Sequence, residues 1–325
     1  MNKVEWSDEV QNIMVGDLTA AISYLTPAGG AVVTTVSPLG IVDRAAGTVG
    51  FTTSLGFGKK LEHILRNPRM AICYHARDHG FSTSSSLVLV QGHASVKLTP
   101  SPERLDALEV QMARYLGEAP SGRVWDWILR EYHQERVVVD IQVDRVTTWP
   151  DLSAAGARST GEPAWPTAPD SQPAPAKGTG PRVDIAKIGK RLRKPPHRLL
   201  AFQGADGYPV VVPVGITGQG PEGVQLEAPE GLLPEGARRA GLVTHQYNAK
   251  CVGLTVCMCT GWLEVSGNGA RYAPHTFRVL SAPPMKNLMM LANGLAAKHG
   301  LRQARRNGTV ESLAKLAAGT RETTA

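Results

Sequence analysis

Nowhere in its 325 residues does this chain approach the roughly 20 consecutive apolar side chains that a membrane helix needs. Cysteine is scarce. Cys73, Cys251, Cys257 and Cys259 lie in apolar sequence and are too few to suggest a disulfide framework. The first residues, Met1-Asn2-Lys3-Val4-Glu5-Trp6-Ser7-Asp8-Glu9, are acidic where a secretory leader is basic and then apolar. Together these absences predict a cytoplasmic protein with no membrane partner. Charged residues make up only 19% and hydrophobic residues 42%, a composition of globular proteins that argues against general disorder.

Neither a catalytic triad nor a pair of facing carboxylates is evident, and no catalytic residue is assigned. His245 with Cys251, Cys257 and Cys259 is the one set resembling metal ligands, but it lacks the Cys-x-x-Cys knuckle that closes a structural zinc site, so no metal is expected. His75 and His79, around Arg77, suit either a substrate contact or a solvated turn. The net charge of +7 favours anionic partners. Much of it sits in Lys187–Arg198 and Lys298–Arg306, runs that usually form solvated faces. Nucleic acid is therefore not the expected partner, whereas a phosphorylated cofactor meets the same electrostatics.

Residues 153–181 are dominated by Ala, Pro, Gly, Ser and Thr and predict a flexible linker between domains at 1–152 and 182–325. The two halves look like copies. The run Ala21–Val36, with a glycine turn at Gly29, lies over Leu199–Val214, with a turn at Gly207, and each reads as a β-hairpin. Val49–Thr53 matches Gly223–Glu227, and Met70–Tyr74 matches Val243–Tyr247. Leu87–Val96 matches Val256–Val265, with Gly92 over Gly261. The offset falls from 178 to 173 to 169, so the copies differ by short loop deletions. Helices are expected after Ser7, at Glu62–Leu65, over Pro102–Leu116, at Trp125–Tyr132 and around Met285–Met290. Short antiparallel strands with helices at the corners make the class α+β, mainly β, with one small barrel in each half.

The most informative stretch is Phe51–Tyr74. A strand ends in Thr52, Thr53 and Ser54, passes Gly56 and Gly58, presents Lys59 and Lys60, and turns into a helix. Hydroxyls, ammonium groups and a helix N-terminus suit a phosphate monoester, although a surface turn with solvated lysines fits the same residues. Lys60 stands seven residues before Asn67-Pro68, with Ile64 in the apolar slot between. In this the sequence resembles the pyridoxamine 5′-phosphate oxidase-like proteins, the FMN- or deazaflavin-binding split barrels. The likeness spans about Asp8 to Trp149, and Gly58 departs from it where the family pattern has serine.

The resemblance implies two tandem split β-barrels, the second a degenerate copy of the first. It implies FMN, or alternatively the deazaflavin F420, with Thr52, Thr53 and Ser54 at the ribityl or phosphate end and Lys59 and Lys60 on the phosphate. Val33, Thr34, Thr35 and Val36 would follow the flavin edge, and Trp149 would stand near the flavin of the dimer partner, with an ordinary core aromatic as the alternative. The Arg-x-x-Leu-Leu-Lys motif of pyridoxamine phosphate oxidation is missing from Val42–Val49, so hydride transfer on another small molecule is the implied reaction. A flavin- or haem-binding module without turnover is the alternative. Aligning Tyr74 with Tyr247 places Leu232 and Leu233 at the lysine positions and Leu226 and Glu227 at Thr53 and Ser54. The second half is therefore expected to lack a phosphate site. It serves either as the second wall of a pseudo-dimer or in a chain that pairs as a homodimer.

Overall fold

The computed structural model describes residues 4–154, 156–161, 168–267 and 269–322. Helix α1 (Asp8–Gly16) starts where the Ser7 hydroxyl accepts the Val10 amide, with Asp8 and Glu9 in the first turn beside the positive end of the helix dipole. Strands β1 (Ala20–Leu25) and β2 (Ala31–Val36) form the first hairpin, and β3 (Val42–Asp43) and β4 (Thr48–Ser54) the second. A 3-10 turn at Leu55–Phe57 leads into α2 (Gly58–Arg66). Then come β5 (Arg69–Tyr74), β6 (Leu87–Lys97), α3 (Pro102–Leu116), α4 (Arg123–Gln134), β7 (Arg136–Trp149) and β8 (Arg158–Gly161). The second half contains α5 (Ile185–Arg193), β9 (His197–Gln203), β10 (Pro209–Pro213), β11 (Gly215–Gly220), β12 (Gly223–Glu227), β13 (Gly236–Gln246), β14 (Thr255–Ser266) and β15 (Gly269–Ser281). Helices α6 (Lys286–Arg306) and α7 (Thr309–Glu322) close the described chain.

These strands form two open antiparallel sheets, ordered β2-β1-β5-β6-β7-β4-β3 and β10-β9-β13-β14-β15-β12-β11, with β8 added on β7. The second order is the first with each strand replaced by its counterpart in sequence, so the fold is two tandem split barrels. The copies agree in detail. In the first hairpin the Thr26 amide donates to Gly30 O and the Gly29 amide to Thr26 O; in the second, Gly204 donates to Tyr208 O and Gly207 to Gly204 O. Gly29 and Gly207 take φ of 72° and 80°, the left-handed conformation that a Cβ disfavours. The register shifts between Gln91 and Gly92 in one barrel and between Thr260 and Gly261 in the other, a β-bulge that bends each long hairpin.

The barrels face each other across one apolar core. Ala21, Leu25, Ala31, Val33, Ala71, Cys73, Leu87, Leu89 and Trp149 from the first pack with Leu200, Phe202, Val211, Leu242 and others from the second. Glycine permits the closest approach: a Cβ on Gly241 of β13 would stand 2.7 Å from the Ala31 carbonyl oxygen of β2. Polar ties frame this core. Gln91 donates through Nε2 to Pro209 O at 2.6 Å, the buried Arg145 pairs with Asp206 at 2.8 Å, and Tyr208 donates to Asp144 at 2.9 Å.

The stretch expected to be a flexible linker is in part ordered and docked. Gln172 donates its amide to Ala237 O and its Nε2 to Gly29 O, the Ser171 hydroxyl accepts from the Ala237 amide, and Pro169 O accepts from Arg238. Weak apolar content left it no core of its own, but its backbone and amide groups find partners on the two barrels. Residues 155 and 162–167 of that stretch lie outside the described residues.

A methyl group at Gly92 or Gly261 would press on the carbonyl of Gln142 or Ala273 across the bulge. Gly92→Ala and Gly261→Ala should each lower unfolding stability by about 2–4 kcal/mol, read from the denaturant midpoint. Unchanged midpoints would contradict the tight bulges.

Candidate functional site

The hydroxyl-and-lysine segment forms the corner where β4 leaves the first sheet. Ser54 caps the 3-10 turn, its hydroxyl accepting from the Gly56 amide at 3.2 Å, and α2 follows with Lys59 exposed and Lys60 half-buried. The Lys60 ammonium lies 4.7 Å from the Phe57 ring centre and 5.9 Å from that of Phe51, without a carboxylate partner among the described residues. Removal from water pushes its pKa down to about 8. Beside it runs the start of β7, in register with β4 at Ser54 and Arg136. The Arg136 guanidinium covers the Tyr132 ring at 4.3 Å and donates through Nη1 to the Thr52 hydroxyl at 2.6 Å. Its Nε and Nη2 are buried and have no hydrogen-bond partner among the described residues. Nothing in the sequence pattern pointed to Arg136.

Helices α6 and α7 lie over the outer side of this corner. A Cβ on Gly56 would come 3.1 Å from Gly300 Cα, and one on Gly58 would strike the Thr309 methyl, so small residues at both positions admit the helix pair. Leu301 and Leu313 join the core of the first barrel from these helices.

The other expected site residues divide. Thr52 and Ser54 stand on one face of β4, while Thr53 is turned inward and buried. Strand β2 is the edge of its sheet, with Thr35 and Val36 half-buried and the Thr34 hydroxyl 3.1 Å from Met258 Sδ of the second barrel. Val33 is 1% exposed in the core between the barrels, so its side chain is not available to a ligand. Trp149, also 1% exposed, sits thirteen residues beyond Arg136 on β7, on the order of 40 Å of strand away from the lysine corner. It pairs in register with Leu87 and packs beside the second barrel, where its bulk fills the shared core.

In the second barrel the equivalent corner is built differently. No helix follows β12; residues 228–235 form a loop in which Leu232 is buried, and α5 packs against β11 and β12 instead. Arg238 and Arg239 do not replace the lysines: the first bonds Pro234 O and Glu235 O, and the second stands beside Gln172. A cavity of about 530 Å³ opens here, lined by Val214, Gly215 and Glu227 of the corner together with His75, Leu87, Leu152, His197 and Arg198. Neither this cavity nor those of about 490 and 200 Å³ elsewhere is lined by Lys59 or Lys60.

Behind its wall three imidazoles meet. His75 Nδ1 is 3.1 Å from Cys73 O, so it carries the hydrogen, and His75 Nε2 accepts from His245 Nε2 at 2.6 Å across the barrel interface. That leaves His245 Nδ1 as a buried acceptor without a partner. Burial holds the His75 pKa down to about 3 and that of His245 well below its ordinary value, with His197 lowered for the same reason. His79 is exposed at φ 58° and faces the Tyr247 ring. Among the described residues no group of three or more His, Cys, Asp or Glu could hold a metal ion, and no helix is long and apolar enough to cross a membrane.

Solved structures resemble this arrangement. They include a pyridoxamine 5′-phosphate oxidase-related, FMN-binding protein from Nostoc punctiforme, 10% identical over 61% of this chain and 87% of that one, with a TM-score of 0.29. A FAD-binding protein from Mesorhizobium loti is 14% identical over 49% and 97%, with a TM-score of 0.31. An F420 reductase is 16% identical over 42% and 94%, with a TM-score of 0.30. No family model and no curated protein matches. At these scores the likenesses carry no argument about chemistry, and the fold rests on the chain's own strand order.

The histidine pair yields a pH test. Unfolded imidazoles take up protons near 6.5, whereas the folded pair refuses them, so it costs stability as pH falls from about 6.5 toward 3. Asp17, pushed up to about 8 by burial, acts with the opposite sign but is shared with any histidine variant. His245→Leu should therefore gain stability relative to the parent by up to about 1.4 kcal/mol per pH unit between pH 6.5 and 5. Parallel pH profiles of the two proteins would contradict the neutral buried pair.

Proposed function

We propose that this chain binds a phosphorylated flavin-type cofactor, FMN or F420, at the corner between β4, α2 and β7 of the first barrel. The observation that carries the reading is the Arg136 guanidinium, with two buried N–H groups lacking an acceptor, set against Thr52 at the strand end from which Lys59 and Lys60 follow. A buried donor left unpaired is costly, and a phosphate oxygen is the acceptor that relieves it. Lys60, held without a carboxylate and with its pKa lowered, likewise gains from an anion. These residues fit the phosphate end of the group. Arg136 and the lysines would hold it, the Thr52 and Ser54 hydroxyls would orient it, and the edge of β2 at Thr34 and Thr35 would run along its ring system.

A flavin or deazaflavin would supply hydride transfer, and the protein would contribute position and the exclusion of water. The reaction class is therefore oxidoreduction of a small molecule, with the facing barrel completing the site through Met258 beside Thr34. Small residues at Gly56 and Gly300 let α6 close the outer side of the corner.

Absorbance of the purified protein separates the candidates: flavin, deazaflavin and haem bands are distinct, and a colourless protein that takes up none of them on reconstitution contradicts the reading. FMN should bind at least about tenfold more tightly than riboflavin, as expected for charge-assisted bonds to a phosphate. That preference should collapse in Lys59→Ala/Lys60→Ala and fall in Arg136→Leu. Full retention of the FMN preference in the double lysine variant would remove the phosphate assignment.

A further inference from the structure

The cavity of the second barrel opens beside the shared core, and the cofactor reading leaves it unused. Its volume of about 530 Å³ suits a small organic molecule. Leu87, Leu152, Leu199 and Val214 line it together with Arg198, His197, Ser153 and Glu227.

Arg198 and His197 are each anchored by one bond to a neighbour. Arg198 donates through Nη2 to Arg193 O at 2.6 Å, the last turn of α5, while its buried Nε has no acceptor among the described residues. His197 Nε2 lies 2.8 Å from the Asp78 carboxylate, which can only accept, so Nε2 carries the hydrogen and Nδ1 is left with a lone pair. His75 has both nitrogens engaged and serves as wall. The cavity thus sets the Arg198 guanidinium and the His197 imidazole among leucine and valine side chains, with polar and apolar surface in about equal measure.

We propose that this cavity binds a small carboxylate with an apolar, ring-sized body, seated on Arg198 with His197 accepting a hydrogen bond beside it. One guanidinium balances the single charge of a carboxylate. A phosphate monoester carries nearly twice that charge, and the corner has lost what would hold it. Glu227 stands where Ser54 stands in the first barrel, and the loop after β12 has leucines in place of the lysines. Glu227 is exposed at the mouth, where it repels a second negative charge more strongly than the first. This site is separate from the lysine corner and does not depend on the cofactor reading.

Binding of benzoate, benzyl alcohol and phenyl phosphate to the full chain, followed by ligand-observed NMR titration, tests the proposal. Benzoate should bind saturably, with benzyl alcohol at least about tenfold weaker and phenyl phosphate no tighter than benzoate. Arg198→Gln should weaken benzoate about tenfold. Because Arg198 also caps α5, Leu152→Trp provides a second variant: Leu152 is 36% exposed, and the larger ring should fill the cavity and abolish binding without disturbing the core. Glu227→Gln should strengthen benzoate about threefold by relieving repulsion at the mouth. Lys59→Ala/Lys60→Ala should leave benzoate binding unchanged even where it removes FMN, so the two readings fail separately. Absence of saturable benzoate binding, equal binding in Arg198→Gln and Leu152→Trp, or loss in the lysine variant would each overturn the proposal.

Discussion

Everything in this molecule depends on the contact between its two sheets. Neither barrel finishes its own core: Ala31 and Val33 of β2 and Ala71 and Cys73 of β5 are buried only because β9, β10 and β13 lie against them. Burial of this kind is worth on the order of 25 cal/mol per Å² of apolar surface removed from water. It demands close approach, and the approach is possible because Gly241 has no side chain to hold the Ala31 backbone away. Around that dry centre the buried Arg145–Asp206 pair and the Gln91 and Tyr208 hydrogen bonds fix the register of one barrel on the other.

The same contact creates two corners related by the repeat, and the chain has treated them differently. In the first barrel a helix that carries Lys59 and Lys60 follows the strand, Arg136 lies in register with Ser54, and the C-terminal helices close the outside. In the second barrel a loop with the buried Leu232 replaces the helix, α5 packs against β11 and β12, and a cavity remains. One surplus of positive charge and one open chamber are unequal outcomes of one fold. The buried imidazoles of His75 and His245 sit where the two barrels meet, so protonation there is resisted by the packing that holds the barrels together.

Much of the fold was legible in the residues. The glycine turns at Gly29 and Gly207 could be read because an L side chain is disfavoured there, and the paired Gly92 and Gly261 because only glycine tolerates the neighbouring carbonyl at the bulge. Ser7 announced α1 because a hydroxyl satisfies an otherwise orphaned amide. The site was legible only in part. Ser54, Lys59 and Lys60 advertise themselves by type and spacing. Arg136, eighty-four positions from Thr52 in sequence, joins them through strand pairing that no local pattern encodes. Trp149 has the composition of a site aromatic, and the structure buries it against the other barrel.

Local chemistry settled the elements of this protein: which residues turn, which cap, which alternate in strands, and that the chain repeats itself. Those choices depend on neighbours a few positions apart, and their physics is contained in short segments. The tertiary structure alone decided which charges lack partners and where space is left. An unpaired guanidinium or an open chamber is a property of groups brought together from distant segments. Arg136 beside Thr52 and His75 against His245 exist only once the two sheets have closed on each other.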